Sequence, residues 1–131
     1  LMRLYGGMAA CLLVGALGGR LDHTLGNLAI LNDPALSGYD IRCDDGREEV
    51  FFCRESAGIR GQSGDIVSLI PWGQAVRGVR TSGLKWALAG DTLYPHKTRG
   101  ISNELAGEFA EVQISSGLLL IVHTRTVASA K

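Results

Sequence analysis

The sequence has no excess of charge of either sign. Its 131 residues include 13 lysines and arginines and 13 aspartates and glutamates, so the formal net charge is zero at pH 7. Domains that bind nucleic acid usually carry a clustered basic surface. The balanced composition therefore argues against a nucleic-acid partner.

The chain is also poor in cysteine and has no apolar run of membrane-spanning length. Its three cysteines, Cys11, Cys43 and Cys53, follow neither a disulfide framework nor the spacing of a zinc site. Its N-terminal apolar stretch, residues 8–17, is shorter than the roughly 20 residues that a membrane helix needs. We expect free thiols, a cytoplasmic location and no membrane contact.

The N-terminal segment superficially resembles a secretory signal, with Arg3 ahead of an apolar stretch. That stretch runs directly into a polar turn at Arg20, and the chain opens on Leu1 instead of methionine. We expect a fragment whose true N-terminus lies upstream.

A strand, a glycine turn and a helix are predicted in succession. Residues 11–17 form a short apolar run that is typical of a buried strand, and Gly18-Gly19 follows it. Leu21, Leu25 and Leu28 then have the i, i+4, i+7 spacing of a core-facing helical stripe.

Polar residues open the predicted helix. Ligands of α/β sheets bind beyond the carboxyl ends of strands, where helix N-termini attract anions. Arg20, Asp22 and His23 are therefore candidate functional residues, although such corners often serve only packing. Asp22 has the alternative role of capping the helix, and Asn27, one turn beyond His23, more simply ties loops together.

The rest of the sequence predicts strands. A hairpin is expected about a two-residue Asp45-Gly46 turn, and residues 54–64 are interpreted as a connector. Several short segments beyond residue 65, separated by turn residues, indicate an antiparallel sandwich or small barrel. These segments are residues 65–70, 74–80, 111–114 and 118–122. The predicted fold class is α+β.

Several sequence blocks lie in a recognisable order. They are Gly-Gly-Arg-Leu-Asp-His at 18–23 with Asn27 beyond it, Val-Ser-Leu-Ile-Pro at 67–71, Thr-Ser-Gly-Leu-Lys-Trp-Ala-Leu at 81–88, Gly-Ile-Ser-Asn-Glu at 100–104 and Gly-Leu-Leu-Leu-Ile at 117–121. In this order and at these spacings they resemble the blocks of the thiamin pyrophosphokinase family. The resemblance extends over residues 11–125.

The resemblance implies an architecture and an activity. Residues 1–56 would be the C-terminal end of an α/β catalytic domain with a β-hairpin, and residues 57–131 a thiamin-binding β-sandwich. The family transfers diphosphate from ATP to the hydroxyl of thiamin, giving thiamin diphosphate and AMP, with Mg²⁺. It works as a homodimer whose sites lie between the catalytic domain of one subunit and the sandwich of the other.

The resemblance also assigns residues. Trp86 would stack on thiamin, with Ser102 and Asn103 as hydrogen-bonding neighbours. Arg20 and Asp22 would be catalytic and would also contact thiamin. His23 would contact the nucleotide or simply brace the turn, and Trp72 is expected in the core.

One departure from the family limits what this chain can do. The family's upstream acidic blocks, of the Gly-Asp-x-Asp-Ser and Asp-x-Thr-Asp kinds, are absent here. Phosphoryl-type transfer depends on metal and cationic charge compensation, so we expect no complete metal site and no activity from this stretch alone. The alternatives are a non-catalytic sandwich that binds thiamin or a partner, and a purely structural remnant.

Overall fold

The computed structural model describes residues 2–5, 8–13, 19–36 and 38–126. The chain divides into two compact units, Leu1–Phe52 and Cys53–Lys131. Strands dominate both units, and most strand pairs are antiparallel.

The first unit combines a short sheet with the helix among its described residues. Its elements are β1 (Met2–Tyr5), β2 (Met8–Leu13), α1 (Leu21–Leu31), a 3₁₀ turn (Pro34–Leu36), β3 (Asp40–Asp44) and β4 (Glu48–Cys53). β2 pairs in parallel with β3, whereas β1 and β4 flank them as antiparallel neighbours. The predicted strand at residues 11–17 thus begins earlier, at Met8, and residues 14–18 lie outside the described residues.

α1 begins directly after Arg20, as the sequence predicts, but its buried face differs from the prediction. Leu28 and Leu31 are buried, whereas Leu21 is 71% and Leu25 47% exposed. The predicted stripe is therefore wrong for the first two turns, because the helix buries its C-terminal end and leaves its N-terminal end open to solvent.

The β3–β4 hairpin pairs Asp44 with Glu49, so four residues, 45–48, connect the last paired residues instead of the predicted two. Gly46 adopts φ +93° within this loop, a left-handed conformation that favours glycine. The Asp45 carboxylate accepts hydrogen bonds from the backbone N–H groups of Glu48 and Arg47, which hold its pKa below the usual range. Cys43 consequently pairs with Val50, two residues further along β4 than a two-residue turn at Asp45-Gly46 would place it.

A partly buried ionic cluster ties the strands of this hairpin together. Arg42 contacts Asp40 at 2.9 Å and Glu49 at 3.0 Å, and its guanidinium lies 3.7 Å from the Phe51 ring centroid. Burial alone would lower the pKa of Arg42, but the hydrogen bonds and charges of the two carboxylates raise it. The cluster therefore keeps a charged side chain satisfied inside the unit.

The second unit is built from antiparallel strands. They are β5 (Ser56–Arg60), β6 (Ile66–Pro71), β7 (Val76–Ser82), β8 (Ala89–Leu93), β9 (Asn103–Glu104), β10 (Phe109–Gln113) and β11 (Leu119–Thr124). One sheet has the order β5-β10-β7-β8, and β11, β6 and β9 are neighbours in another. The strand-rich prediction is confirmed, although residues 56–60 form a strand where a connector was expected. The sandwich arrangement stays a prediction.

A buried polar pair lies within this unit. The His123 ring nitrogen Nε2 is 2.8 Å from the Asp65 carboxylate, and both residues are almost fully buried. Asp65 also accepts hydrogen bonds from the backbone N–H groups of Gln62 and Thr126. Gly61 leaves room for the pair, since a Cβ there would collide with both side chains. The pair thereby fixes β11 to the turn before β6.

Candidate functional site

The first candidate group lies at the N-terminus of α1. The Arg20 guanidinium holds the Asp22 carboxylate in a two-point contact, with Nη2 2.6 Å from Oδ2 and Nε 3.2 Å from Oδ1. Both side chains are well exposed, at 72% and 62%. An exposed pair of this kind contributes little to stability, so both groups can exchange this contact for a ligand.

Local sequence explains this geometry. Gly19 takes φ +69°, which allows the chain to turn into the helix. Arg20 is the N-cap residue, and its side chain makes no capping hydrogen bond. Asp22 instead accepts the backbone N–H of His23 at 2.8 Å, a favourable position for an anion at a helix N-terminus. The capping-type role and the pairing with Arg20 thus coexist in one carboxylate.

His23 and Asn27 occupy the next turn. His23 is exposed, and Asn27 is half-buried. The spacing places them on one face of the helix.

The second candidate group surrounds Trp86 in the second unit. Trp86 lies in the loop between β7 and β8, and its side chain is 53% exposed although it is a large aromatic. Gly83 opens this loop at φ +84°, where a Cβ would strike the Phe109 carbonyl. The backbone N–H of Lys85 donates to the Glu104 carbonyl at 2.8 Å, so the loop is fixed to the segment that carries Asn103.

Asn103 holds the Trp86 backbone from both sides. Its Oδ1 accepts the Trp86 N–H at 3.1 Å, and its Nδ2 donates to the Trp86 carbonyl at 2.8 Å. The same Oδ1 also accepts the N–H of Glu104 at 2.9 Å. Asn103 is buried, and most of its hydrogen-bonding capacity is used by these contacts. Its amide therefore sets the position of an exposed aromatic ring.

Ser102 has a strained and exposed backbone position. Its φ is +63°, in the left-handed region that few residues other than glycine adopt. Its N–H donates to the Ser68 hydroxyl at 3.0 Å, which anchors the strained residue on β6. Strained residues cluster at ligand sites, and the Ser102 side chain faces solvent beside Asn103.

A lysine covers the Trp86 ring. The Lys85 ammonium lies 4.7 Å from the ring centroid and 4.0 Å from the Glu104 carboxylate. The Trp86 face thus already attracts a cation in this structure, which is relevant to the charge of any ligand that replaces Lys85.

The structure brings the candidate residues together in two groups. Arg20, Asp22 and His23 share one corner, and Trp86, Ser102 and Asn103 share one loop cluster. Sequence reasoning missed Ser68, the acceptor beneath Ser102. Its position in the strand that ends at Pro71 gave no sign of a contact with a loop 34 residues further on.

The second unit thus presents an exposed tryptophan with an anchored backbone on antiparallel strands. A model of the family described as "Thiamin pyrophosphokinase, vitamin B1 binding domain" matches residues 54–119, half of the chain. The chain belongs to the thiamin pyrophosphokinase family through this domain, and the predicted resemblance is confirmed. A comparison with curated protein sequences gave no match.

Solved structures agree on the fold. A thiamine pyrophosphokinase from Bacillus subtilis superposes with a TM-score of 0.79 at 24% identity, covering 88% of this chain and 55% of that chain. The Geobacillus thermodenitrificans enzyme gives 0.78 at 24% identity, with 91% and 55% coverage. A Candida albicans thiamin pyrophosphokinase gives 0.72 at 15%, with 88% and 44% coverage. The chain spans about half the length of these structures.

Within the described ranges, no helix is long and apolar enough to cross a membrane.

Proposed function

We propose that this chain is the thiamin-binding part of a thiamin pyrophosphokinase, an enzyme that transfers diphosphate from ATP to the hydroxyl of thiamin. The observation that carries the proposal is the family match over residues 54–119 together with the exposed, anchored Trp86 inside it. The whole enzyme would be a homodimer in the cytoplasm.

Trp86 supplies the main contact in this proposal. Thiamin is a flat, cationic molecule, and an indole face attracts such a ring system by stacking and by a cation–π interaction of about 0.5–2 kcal/mol. Lys85 already occupies that attractive position at 4.7 Å. Thiamin would displace its ammonium, which remains near Glu104.

Ser102 and Asn103 take different roles. The exposed Ser102 hydroxyl is free to meet a polar edge of the ligand, since the described contact of Ser102 uses its backbone N–H. Asn103 was predicted to contact thiamin, but its buried amide is largely occupied by Trp86 and Glu104. Its geometry favours a positioning role for Trp86, and direct contact with thiamin stays a prediction.

Arg20 and Asp22 would act from the catalytic half of a partner subunit. A guanidinium provides five N–H donors in a planar fork, so Arg20 can meet phosphate oxygens when it releases Asp22. Asp22 would then be available to orient the thiamin hydroxyl region. His23 beside them would contact the nucleotide.

The family's Mg²⁺ does not fit the described residues alone. Mg²⁺ is normally held by carboxylates together with water and substrate phosphates. Among the residues that the structure describes, no three His, Cys, Asp or Glu side chains lie close enough to share a metal ion. We therefore expect this chain alone to release no AMP.

Thiamin titration of the isolated chain tests the proposal. A Trp72→Phe background leaves Trp86 as the fluorescent tryptophan, and we expect saturable quenching by thiamin. Calorimetry should show that Trp86→Ala weakens thiamin binding by about two- to thirtyfold and that Trp86→Phe loses less affinity. No thiamin binding at millimolar ligand would contradict the proposal and favour a structural remnant.

A second measurement separates the enzyme from a non-catalytic binding module. The chain extended by its upstream coding sequence should convert ATP and thiamin to AMP and thiamin diphosphate. If the extended chain binds thiamin but releases no AMP, the alternative of a thiamin- or partner-binding module without activity is correct.

A further inference from the structure

A second concave site lies at the ends of β6 and β8. This pocket has a volume of about 230 Å³. Pro71 and Leu93, both buried, line it together with Thr92, Tyr94, Lys97 and Arg99. Its lining thus combines an apolar surface, an aromatic ring, a hydroxyl and two cations, and none of these residues belongs to the proposed thiamin contacts.

The two cations differ in their pairing. Arg99 Nη2 lies 2.6 Å from the Asp91 carboxylate, so one of its donors is used and its charge is offset. Lys97 has no carboxylate partner within the part of the chain that the structure describes. The pocket therefore keeps a net positive charge on Lys97, and Arg99 is held in place with further N–H donors available.

The loop that carries these cations is fixed. The backbone N–H of Leu69 donates to the Gly100 carbonyl at 2.8 Å. Gly100 is buried so closely that a Cβ would collide with the Leu69 carbonyl. Lys97 itself closes a turn onto the Tyr94 carbonyl at 3.1 Å. Because the loop is already ordered, ligand binding costs little additional conformational entropy.

We propose that this pocket binds a phosphate-bearing anion. Lys97 and the unused donors of Arg99 would meet phosphate oxygens, with the Thr92 hydroxyl as a third donor. An organic portion of the ligand would lie against Tyr94 and the apolar surface. The shared chemistry is a phosphate or diphosphate group, which a nucleotide or thiamin diphosphate would supply. The inference that the ligand is a nucleotide or thiamin diphosphate rests on the proposed function, whereas diphosphate binding by the pocket does not.

Calorimetric titration with inorganic diphosphate tests the site. We expect saturable binding that weakens with added salt, is retained in Lys97→Arg and falls about tenfold in Lys97→Gln. The control is Arg60→Gln, which removes an exposed cation from β5, at the opposite edge of the sheet that ends with β8. Arg60→Gln should bind diphosphate like wild type.

Absence of saturable diphosphate binding by the wild-type chain would overturn the proposal, and so would equal weakening by Lys97→Gln and Arg60→Gln. Competition then identifies the source, because either AMP or thiamin diphosphate should displace diphosphate. If neither does, the organic contact with Tyr94 is wrong, and the inference that the site takes a nucleotide or thiamin diphosphate is overturned.

Thiamin quenching of Trp86 in the same samples keeps this test separate from the proposed function. If thiamin still quenches Trp86 but the chain does not bind diphosphate, the pocket proposal is wrong and the thiamin proposal stands. If the chain binds diphosphate but thiamin does not quench Trp86, the pocket proposal is supported and the thiamin proposal is wrong.

Discussion

Each unit of the molecule contains a carboxylate paired with a basic side chain, and the two pairs have opposite surroundings. Arg20 and Asp22 are largely exposed at the start of α1. Asp65 and His123 are 3% and 0% exposed within the second unit. Exposed pairs are screened by water and contribute little, whereas breaking a buried pair is costly. The difference indicates that the first pair is available for a ligand and the second maintains the fold.

The comparison is tested most strongly by neutralising the carboxylate of each pair in turn and measuring the free energy of unfolding. Asp65→Asn should lower the free energy of unfolding by about 2–4 kcal/mol, because His123 loses its charged partner in a buried site. Asp22→Asn should change it by about 0.5 kcal/mol or less. Urea unfolding measured by tryptophan fluorescence gives the first value, since Trp72 and Trp86 both lie in the second unit.

Asp22 lies on α1 in the first unit, which has no tryptophan. The unfolding of Asp22→Asn is therefore followed by circular dichroism, which reports the helix. Equal destabilisation by the two substitutions would show that the exposed pair is structural and would remove the basis for its proposed role.

The loss of folding stability at acid pH should depend on Asp65. Burial acts to raise the pKa of Asp65, but the hydrogen bond with His123 and the N–H groups of Gln62 and Thr126 outweigh it, so the pKa lies below the usual range of an aspartate. Below pH 5 the unfolded chain therefore takes up protons before the folded chain does. The stability contributed by Asp65 is complete above about pH 5 and is lost as the pH falls through the lowered value.

Urea unfolding repeated from pH 7 to pH 3 checks this dependence. The decline toward acid should be shallower in Asp65→Asn than in wild type. An unchanged slope would assign the acid sensitivity to other carboxylates, and Asp22→Asn should reproduce the wild-type slope.

The sequence predicted both candidate groups but not their geometry. Local patterns were sufficient for the helix start after Arg20 and for most strands of the second unit, because apolar alternation and turn residues act over short distances. The strand at Ser56–Arg60 was missed, since its partner β10 lies some fifty residues away and its own sequence carries little apolar pattern. Likewise, the i, i+4, i+7 spacing of leucines in α1 predicts which face of the helix is apolar, but not which end of that face is buried.

Long-range polar contacts were the least predictable features. Asp65 and His123 are 58 residues apart in the sequence, and neither occurs in a pattern that links them. Asn103 was selected through a family resemblance as a ligand contact. Its geometry, with both amide atoms on the Trp86 backbone, could emerge only when the two loops were placed together.

The contrast between buried and exposed polar groups recurs within one loop, at Asn103 and Ser102. Asn103→Ala should destabilise the second unit by about 1–3 kcal/mol, since buried backbone groups of Trp86 and Glu104 lose their partner. It should also weaken thiamin binding about three- to tenfold, because Trp86 is no longer held in position. Fluorescence titration in the Trp72→Phe background measures the affinity.

Asn103→Asp is the paired variant: it retains the Oδ1 acceptor but places a second carboxylate oxygen against the Trp86 carbonyl, which repels it. Its thiamin affinity should therefore be no higher than that of Asn103→Ala. Full thiamin affinity in Asn103→Ala would contradict a positioning role.

Ser102→Gly should raise stability slightly instead of lowering it. Removal of the side chain relieves the left-handed strain at φ +63°, worth about 1–2 kcal/mol, while the greater freedom of glycine in the unfolded chain offsets about 0.5–1 kcal/mol. The free energy of unfolding should therefore rise by up to about 1.5 kcal/mol, even as thiamin affinity falls through loss of the hydroxyl. Urea unfolding and thiamin titration of the same sample measure both quantities. Higher stability combined with weaker binding would show that Ser102 retains its strain for the ligand, whereas unchanged affinity would limit Ser102 to a structural role.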